Sequence, residues 1–253
     1  LGICIGFGLI QGLIIAYMDI QPFIVTLAGM FFARGMVTIV SIAPRTASHA
    51  GFMKIKQMRI TLPGIGYYGK TGNFIPAQIE PGVIVAVVIL ITIAVVLKWT
   101  RFGRNLYAIG GHSNSALMLG INVKRTRFFA YLIAGILSGI AGYVYLMHTG
   151  AGDAANATQA EMQAIASNII GGTLLTGGVG NVIGTLFGML SLKTITNIVI
   201  ASGLTKPYYQ SITTGLMLCF FILLQSVILA IRERGSIKLL LPEWLRSRKT
   251  KKE

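Results

Sequence analysis

The chain has 253 residues, 54% of them hydrophobic and 11% charged, with a mean hydropathy of +0.72. Soluble domains carry about a quarter charged residues, so this balance excludes an ordinary soluble globular protein. The formal charge is +15, from 22 Lys and Arg against 7 Asp and Glu. In a soluble protein that excess would suggest nucleic acid. In an apolar chain it suggests cytoplasmic loops, where Lys and Arg collect, so no nucleic-acid partner is expected.

Apolar runs at 1–18, 81–97, 128–147 and 208–231 approach or exceed the roughly 20 residues that cross a bilayer core. The expected fold is therefore all-α, a polytopic transmembrane helical bundle. Leu1 opens inside an apolar run, with no initiator Met, basic n-region or cleavage site. This opening is not a signal peptide, and the N-terminus is expected to be missing. The first span, 1–18, should run inward and end at a tight turn around Asp19. The second, about 20–41, carries Pro22 near its start and Arg34 within it. Arg34 is expensive in hydrocarbon and should face the bundle interior or an interface.

The connection 41–80 holds Arg45, Lys54, Lys56, Arg59 and Lys70 against Glu80. Alternation places it outside, although its charge argues the other way. The third span returns at 81–98. Residues 98–128 carry Lys98, Arg101, Arg104, Lys124, Arg125 and Arg127 and no acid, so this segment should be cytoplasmic. Within it, Gly110–Gly111 reads as a turn, with Ser113 or Asn114 as N-cap of a short helix "SALMLGI". Ala116, Leu117 and Leu119 would then form an apolar face suited to a protein partner, or to anionic lipid. The fourth span, 128–148, goes outward.

Two shorter helices, 161–176 and 181–201, flank "GGTLLTGGVGN". They either cross or form a re-entrant hairpin. A phosphate loop needs Lys and a hydroxyl after its last glycine, and this stretch supplies neither. Residues 162–192 carry no charge to meet a phosphate. A broken membrane helix or a plain turn remains, with Thr173 and Thr176 able to satisfy freed backbone groups. Glu161 suits a helix N-terminus, and Lys193, near a helix middle, reads either as a substrate contact or as a structural pairing. The last span, 208–231, leads into a basic tail, 232–253. Residues 1–231 are thus the membrane domain and 232–253 a cytoplasmic tail.

Glycines repeat every four residues at Gly8 and Gly12, at Gly135 and Gly139, and at Gly180, Gly184 and Gly188. Small residues on one face let helices approach closely in lipid. Cys4 and Cys219 lie inside apolar runs and are not expected to pair. His49, His112 and His148 show no metal-ligand spacing, and no nucleophile–base set stands out, so an enzyme is not expected.

Three blocks, "QPFIVTLAGMFFARGM" (21–36), "RFGRNLYAIGGHSNSALMLGINVKR" (101–125) and "EMQAIASNIIGGTLLTGGVGNVIGTLFG" (161–188), carry a resemblance. The chain resembles the permease subunits of bacterial ABC importers for monosaccharides, the ribose, xylose and galactose group. The first and third blocks look most like a galactofuranose permease. The resemblance implies a type II importer permease in the bacterial inner membrane, its N-terminal helices missing from this sequence. It implies a second permease subunit, identical or related, and two cytoplasmic ATPase subunits that bind the ATP and Mg. A periplasmic or lipid-anchored sugar-binding protein would deliver substrate, and membrane lipid would surround the assembly. The residues matching the ATPase-coupling loop are Arg101, Phe102, Gly103, Ala108, Gly110, Gly111, Ala116, Gly120 and Ile121. Those matching the translocation pathway are Pro22, Phe23, Thr26, Gly29, Arg34, Gly171, Gly172, Gly177, Gly178 and Gly180. An ion-coupled secondary transporter, or a permease for branched-chain amino acids or nucleosides, remains as an alternative.

Overall fold

The computed structural model describes residues 1–41, 43–46, 49–68, 74–203 and 206–240. The chain divides into two compact units, Leu1–Thr158 and Gln159–Glu253. Among the described residues five helices are long and apolar enough to cross a membrane.

The first unit opens with α1 (Gly2–Tyr17) and α2 (Pro22–Val40). After β1 (Arg45–Thr46) and the short α3 (Ala50–Gln57) come β2 (Ile60–Tyr68) and β3 (Phe74–Ile79). Then follow α4 (Pro81–Trp99), α5 (Arg101–Gly111), α6 (Ser113–Met118), α7 (Val123–Thr149) and β4 (Ala151–Gly152). Proline stands at the first turn of α2 and of α4, where its missing N–H is no loss and its φ suits the helix. With 16 residues, α1 is about 24 Å long and shorter than the expected 1–18 crossing.

The central contact of this unit is α1 against α7, and glycines make it. A methyl group at Gly135 would lie 2.7 Å from the Cys4 carbonyl oxygen and 2.9 Å from Gly8 Cα. At Gly8 it would lie 2.9 Å from the Tyr131 carbonyl oxygen, and at Gly12 3.2 Å from that of Phe128. Gly8 and Gly135 therefore face each other, backbone on backbone, while Gly12 packs against Phe128 and Tyr131 and Gly139 against Cys4 and Leu1. Such contact supplies the dispersion that replaces hydrophobic exclusion between helices in lipid.

The connection 41–80 folds into an antiparallel β2–β3 hairpin, with Ile60 opposite Ile79 and Tyr68 opposite Phe74. Its register shifts between Thr61 and Gly66, where Pro63 removes a ladder donor. At its foot Glu80 accepts from Arg59 and pairs with His148 at 2.8 Å, tying the hairpin to the ends of α4 and α7. The Lys56 ammonium donates to the Thr149 carbonyl at 3.3 Å. Four of the five basic residues of this connection are thus described, two of them in these contacts; Lys70 lies outside the described residues.

The second unit comprises α8 (Ala160–Ile170), α9 (Val182–Ala201) and α10 (Pro207–Leu240). The expected helix 161–176 stops at Ile170, because Gly172 at φ +85 closes it. The Gly172 amide donates to Ile169 O and the Thr173 amide to Asn168 O, the paired bonds of a Schellman motif. Glu161 lies in the first turn of α8, but the N-cap is Gln159. The last helix continues through the expected 231/232 boundary to Leu240; residues 241–253 of the basic tail lie outside the described residues. At 34 residues it is about 51 Å long, well beyond a 30 Å core.

Candidate functional site

Three places gather the residues singled out by sequence. The first is the elbow from α4 to α7. Thr100 serves both helices that meet there: its hydroxyl donates to Val96 O at 2.6 Å and accepts from the Gly103 amide at 3.2 Å. This folds α5 sharply back on α4. A methyl at Gly103 would fall 2.5 Å from Leu97 Cα, so only glycine fits. Arg101 starts α5 and is exposed, Phe102 and Ala108 are half-buried, and Gly110 and Gly111 end the helix. The expected turn at Gly110–Gly111 is therefore helical, and His112 rather than Ser113 or Asn114 is the N-cap of α6.

The short α6 ends in a second Schellman motif, with Gly120 N–H on Leu117 O at 3.0 Å and Ile121 N–H on Ala116 O at 3.1 Å. Gly120 has φ +79, a conformation costly for other residues. Ala116 is 2% exposed, so the expected apolar face of Ala116, Leu117 and Leu119 is wrong in one member. A small side chain there lets α6 close on its neighbours. The outward tip is instead Leu117, Met118 and Leu119, with Met118 89% exposed. Asn122 then caps α7 by accepting from the Arg125 amide at 3.0 Å. A basic, tightly folded elbow thus presents three contiguous exposed apolar side chains.

The second place is a cavity of about 920 Å³ in the first unit, walled by α1, α2 and α7. Of the expected pathway residues, Thr26 and Gly29 line it; Pro22, Phe23 and Arg34 do not. Pro22 opens α2, Phe23 is 68% exposed, and Arg34 lies on the same helix, where its carbonyl accepts from the Thr38 hydroxyl at 3.0 Å. The Thr26 hydroxyl bonds back to Pro22 O at 3.0 Å. Gly29 leaves room for the amide of Gln11, which a Cβ would displace. The walls are mostly apolar, from Phe7, Phe32, Met36 and Val40, with Gln11, Ser41, Arg45 and Asp153 as polar points. Sequence reasoning passed over Gln11, although a lone amide inside an apolar run is a visible signal.

The third place is the α8–α9 hairpin. Gly171 meets Gly184 so closely that a methyl on it would lie 2.5 Å from the Gly184 carbonyl carbon. A methyl on Gly188 would lie 2.7 Å from the Gly171 amide. The expected glycine register on α9 is therefore a packing face for Gly184 and Gly188, while Gly180 sits in the loop against Thr173. Gly171, Gly172, Gly177, Gly178 and Gly180 all belong to the hairpin tip, where Leu174 N–H bonds Val179 O at 3.1 Å. Asn181 caps α9 by accepting from the Ile183 amide at 3.0 Å.

Two carbonyls at this tip are met by Gln225 on α10. Its amide donates to Thr173 O at 3.1 Å and Ile169 O at 3.3 Å. Gln225 stands near the end of α10's apolar window, Tyr208–Val227. Along the hairpin, Thr185 donates to Asn168 at 2.8 Å and Lys193 to Gln163 at 3.0 Å.

Residues 1–222 match the family described as branched-chain amino acid transport system / permease component. The chain is 36% identical over 219 residues to "Inner membrane ABC transporter permease protein YjfF" of Escherichia coli (strain K12), covering 87% of this chain and 63% of that one. It is 35% identical over 228 residues to "Fructose import permease protein FruG" of Bifidobacterium longum (strain NCC 2705), covering 89% and 64%. To "Ribose import permease protein RbsC" of Bacillus subtilis (strain 168) it is 34% identical over 217 residues, covering 85% and 62%. The chain thus spans less than two thirds of the length of these relatives. No solved structure matches.

Proposed function

Because the chain belongs to the family of branched-chain amino acid transport system permease components, we propose that it forms part of the translocation pathway of an ATP-driven sugar importer in the bacterial inner membrane. The observation that carries this reading is the α5–α6 elbow, with Leu117, Met118 and Leu119 exposed at the tip of a basic segment. Charge places that segment in the cytoplasm, where a separate ATPase subunit would receive that tip. Arg101, Phe102, Gly103, Ala108, Gly110, Gly111, Ala116, Gly120 and Ile121 shape the elbow, and the three tip residues make the contact. Their motion on ATP binding would pass along α4 and α7, whose ends the elbow joins.

The names of the relatives favour a sugar over the amino acids of the family description, and a monosaccharide is the substrate class. Galactofuranose, from the look of the first and third blocks, is the first to test. The mostly apolar wall of the 920 Å³ cavity suits a pathway that holds its substrate weakly. Selectivity then falls to an external binding protein, and a second permease subunit completes the conduit.

The test is ATP-driven uptake by the full-length importer in proteoliposomes with its ATPase and binding protein. Met118→Glu places a charge at that contact without touching the buried Ala116. We expect uptake and sugar-stimulated ATPase activity to fall about tenfold or more, as for a buried anchor, with membrane insertion unchanged. Uptake that persists in the variant, or that needs an ion gradient and no ATP, overturns the reading.

A further inference from the structure

Lys193 sits eight residues before the end of α9, about 12 Å inside the helix. Its side chain pairs with no carboxylate among the described ion pairs. It turns sideways to α8, where the ammonium donates to Gln163 Oε1 at 3.0 Å, and it stays exposed. An ammonium has three donors, and among the described residues this is the one hydrogen bond of Lys193, made beside the half-buried Gln163 amide.

A charge at that depth does not face hydrocarbon cheaply, and such residues mark wet cavities, protein contacts or transport paths. The four-carbon stem is shorter than the roughly 12 Å from Lys193 to the end of α9. Levels in this unit can be read from its own bonds. Ser211 donates to Gln159, and Gln225 to Ile169 and Thr173, so α10 descends parallel to α8. Gln163 and Lys193 therefore lie in the half of the hairpin away from the glycine tip, and on the topology above that half faces outward.

We propose that Lys193, oriented by Gln163, lines the outer half of the translocation pathway and donates hydrogen bonds to the hydroxyl oxygens of the passing sugar. Gln163 is a positioning residue: it fixes the direction of the ammonium without need of a countercharge. A neutral amide partner suits a polyhydroxylated ligand, because an ammonium with one bond to an amide can still donate others as the sugar arrives and leaves. This rests on the sugar-importer reading and adds a residue that the family-like blocks do not contain.

The experiment uses the full-length importer in membranes, its native cysteines replaced by serine, carrying Lys193→Cys. A membrane-impermeant methanethiosulfonate reagent is applied from outside, with and without the transported sugar and its binding protein. We expect the introduced thiol to be modified and turnover with sugar to slow the modification. The KM for uptake should rise about tenfold, as for a lost hydrogen bond to a charged group. The aminoethyl reagent, which rebuilds a lysine-like side chain, should restore it, and the neutral methyl reagent should not. Lys193→Arg should keep most uptake and Lys193→Met should behave as the cysteine variant. No modification from outside, or modification indifferent to sugar with KM unchanged, overturns the proposal while leaving ATP-driven uptake, and the importer reading, intact. An importer that moves no sugar with Lys193 in place fails at the earlier step instead.

Discussion

Single atoms decide the closest contacts of this protein. Between α1 and α7 the missing Cβ of Gly135 admits the Cys4 carbonyl and Gly8. Gly135→Leu has no flexible neighbour to push aside, only backbone. It should destabilise the detergent-solubilised protein by about 1–3 kcal/mol or more, as overpacking does, read as a lower thermal unfolding midpoint. Gly142, on the same helix, meets nothing within 4 Å, so Gly142→Leu is the control and should leave the midpoint unchanged. Glu80 is decided by charge instead. Hydrogen bonds from His148, and next from Arg59, hold its carboxyl below the ordinary value of 4.5. A depressed carboxyl stabilises the fold fully above its unfolded pKa and loses that contribution as pH falls through the folded value. Hydrogen exchange of β2–β3, corrected for intrinsic rate, should therefore quicken as pH falls below about 4.5. Glu80→Gln should show the faster exchange already at neutral pH; a variant as protected as the parent would remove Glu80 as the anchor.

Elements are held by different devices in the two units. The elbow depends on two glycines whose absence of side chain is required for different reasons, contact at Gly103 and a left-handed φ at Gly120. The glycine tip depends on a side chain from another helix. Gln225→Met keeps the length and removes both donors, leaving the Thr173 and Ile169 carbonyls without the amide. Loss of a hydrogen-bond partner leaves a buried acceptor at about 1–3 kcal/mol, so the midpoint should drop and exchange at 171–181 should rise. Gln225→Leu should do the same, and an unchanged tip in both would show that the amide is dispensable. The glycines at 171–180 announced a break in the sequence. Gln225 could not be assigned to it, because the two segments lie 52 residues apart and only packing brings them together.

Across the whole molecule, the distribution of Lys and Arg sets the sidedness. On the proposed topology the α6 tip is cytoplasmic and the β2–β3 hairpin external. A cysteine in place of Met118 should react with an impermeant thiol reagent only in inside-out vesicles, and one in place of Ile55 only in right-side-out vesicles. Both residues are exposed. Reaction of Met118→Cys from the outer side would leave no ATPase able to reach the elbow.

Taken alone, the sequence determined that this is a multi-span helical protein, where five of its long helices run, and that glycines spaced four apart would lie at close contacts, which holds for Gly184 and Gly188 but not for Gly180. Each of these follows from local composition, since a membrane span needs only length and apolarity. It also determined the basic segment that becomes the elbow. Tertiary structure alone decided that Ala116 turns inward while Met118 turns out, that 41–80 closes as a β-hairpin on Glu80, and that Gln11, Gln225 and Gln163 find the partners they have. Lone amides and a lone alanine carry no periodic signal; their role depends on which backbone comes within about 3 Å, and that is settled only when distant helices meet.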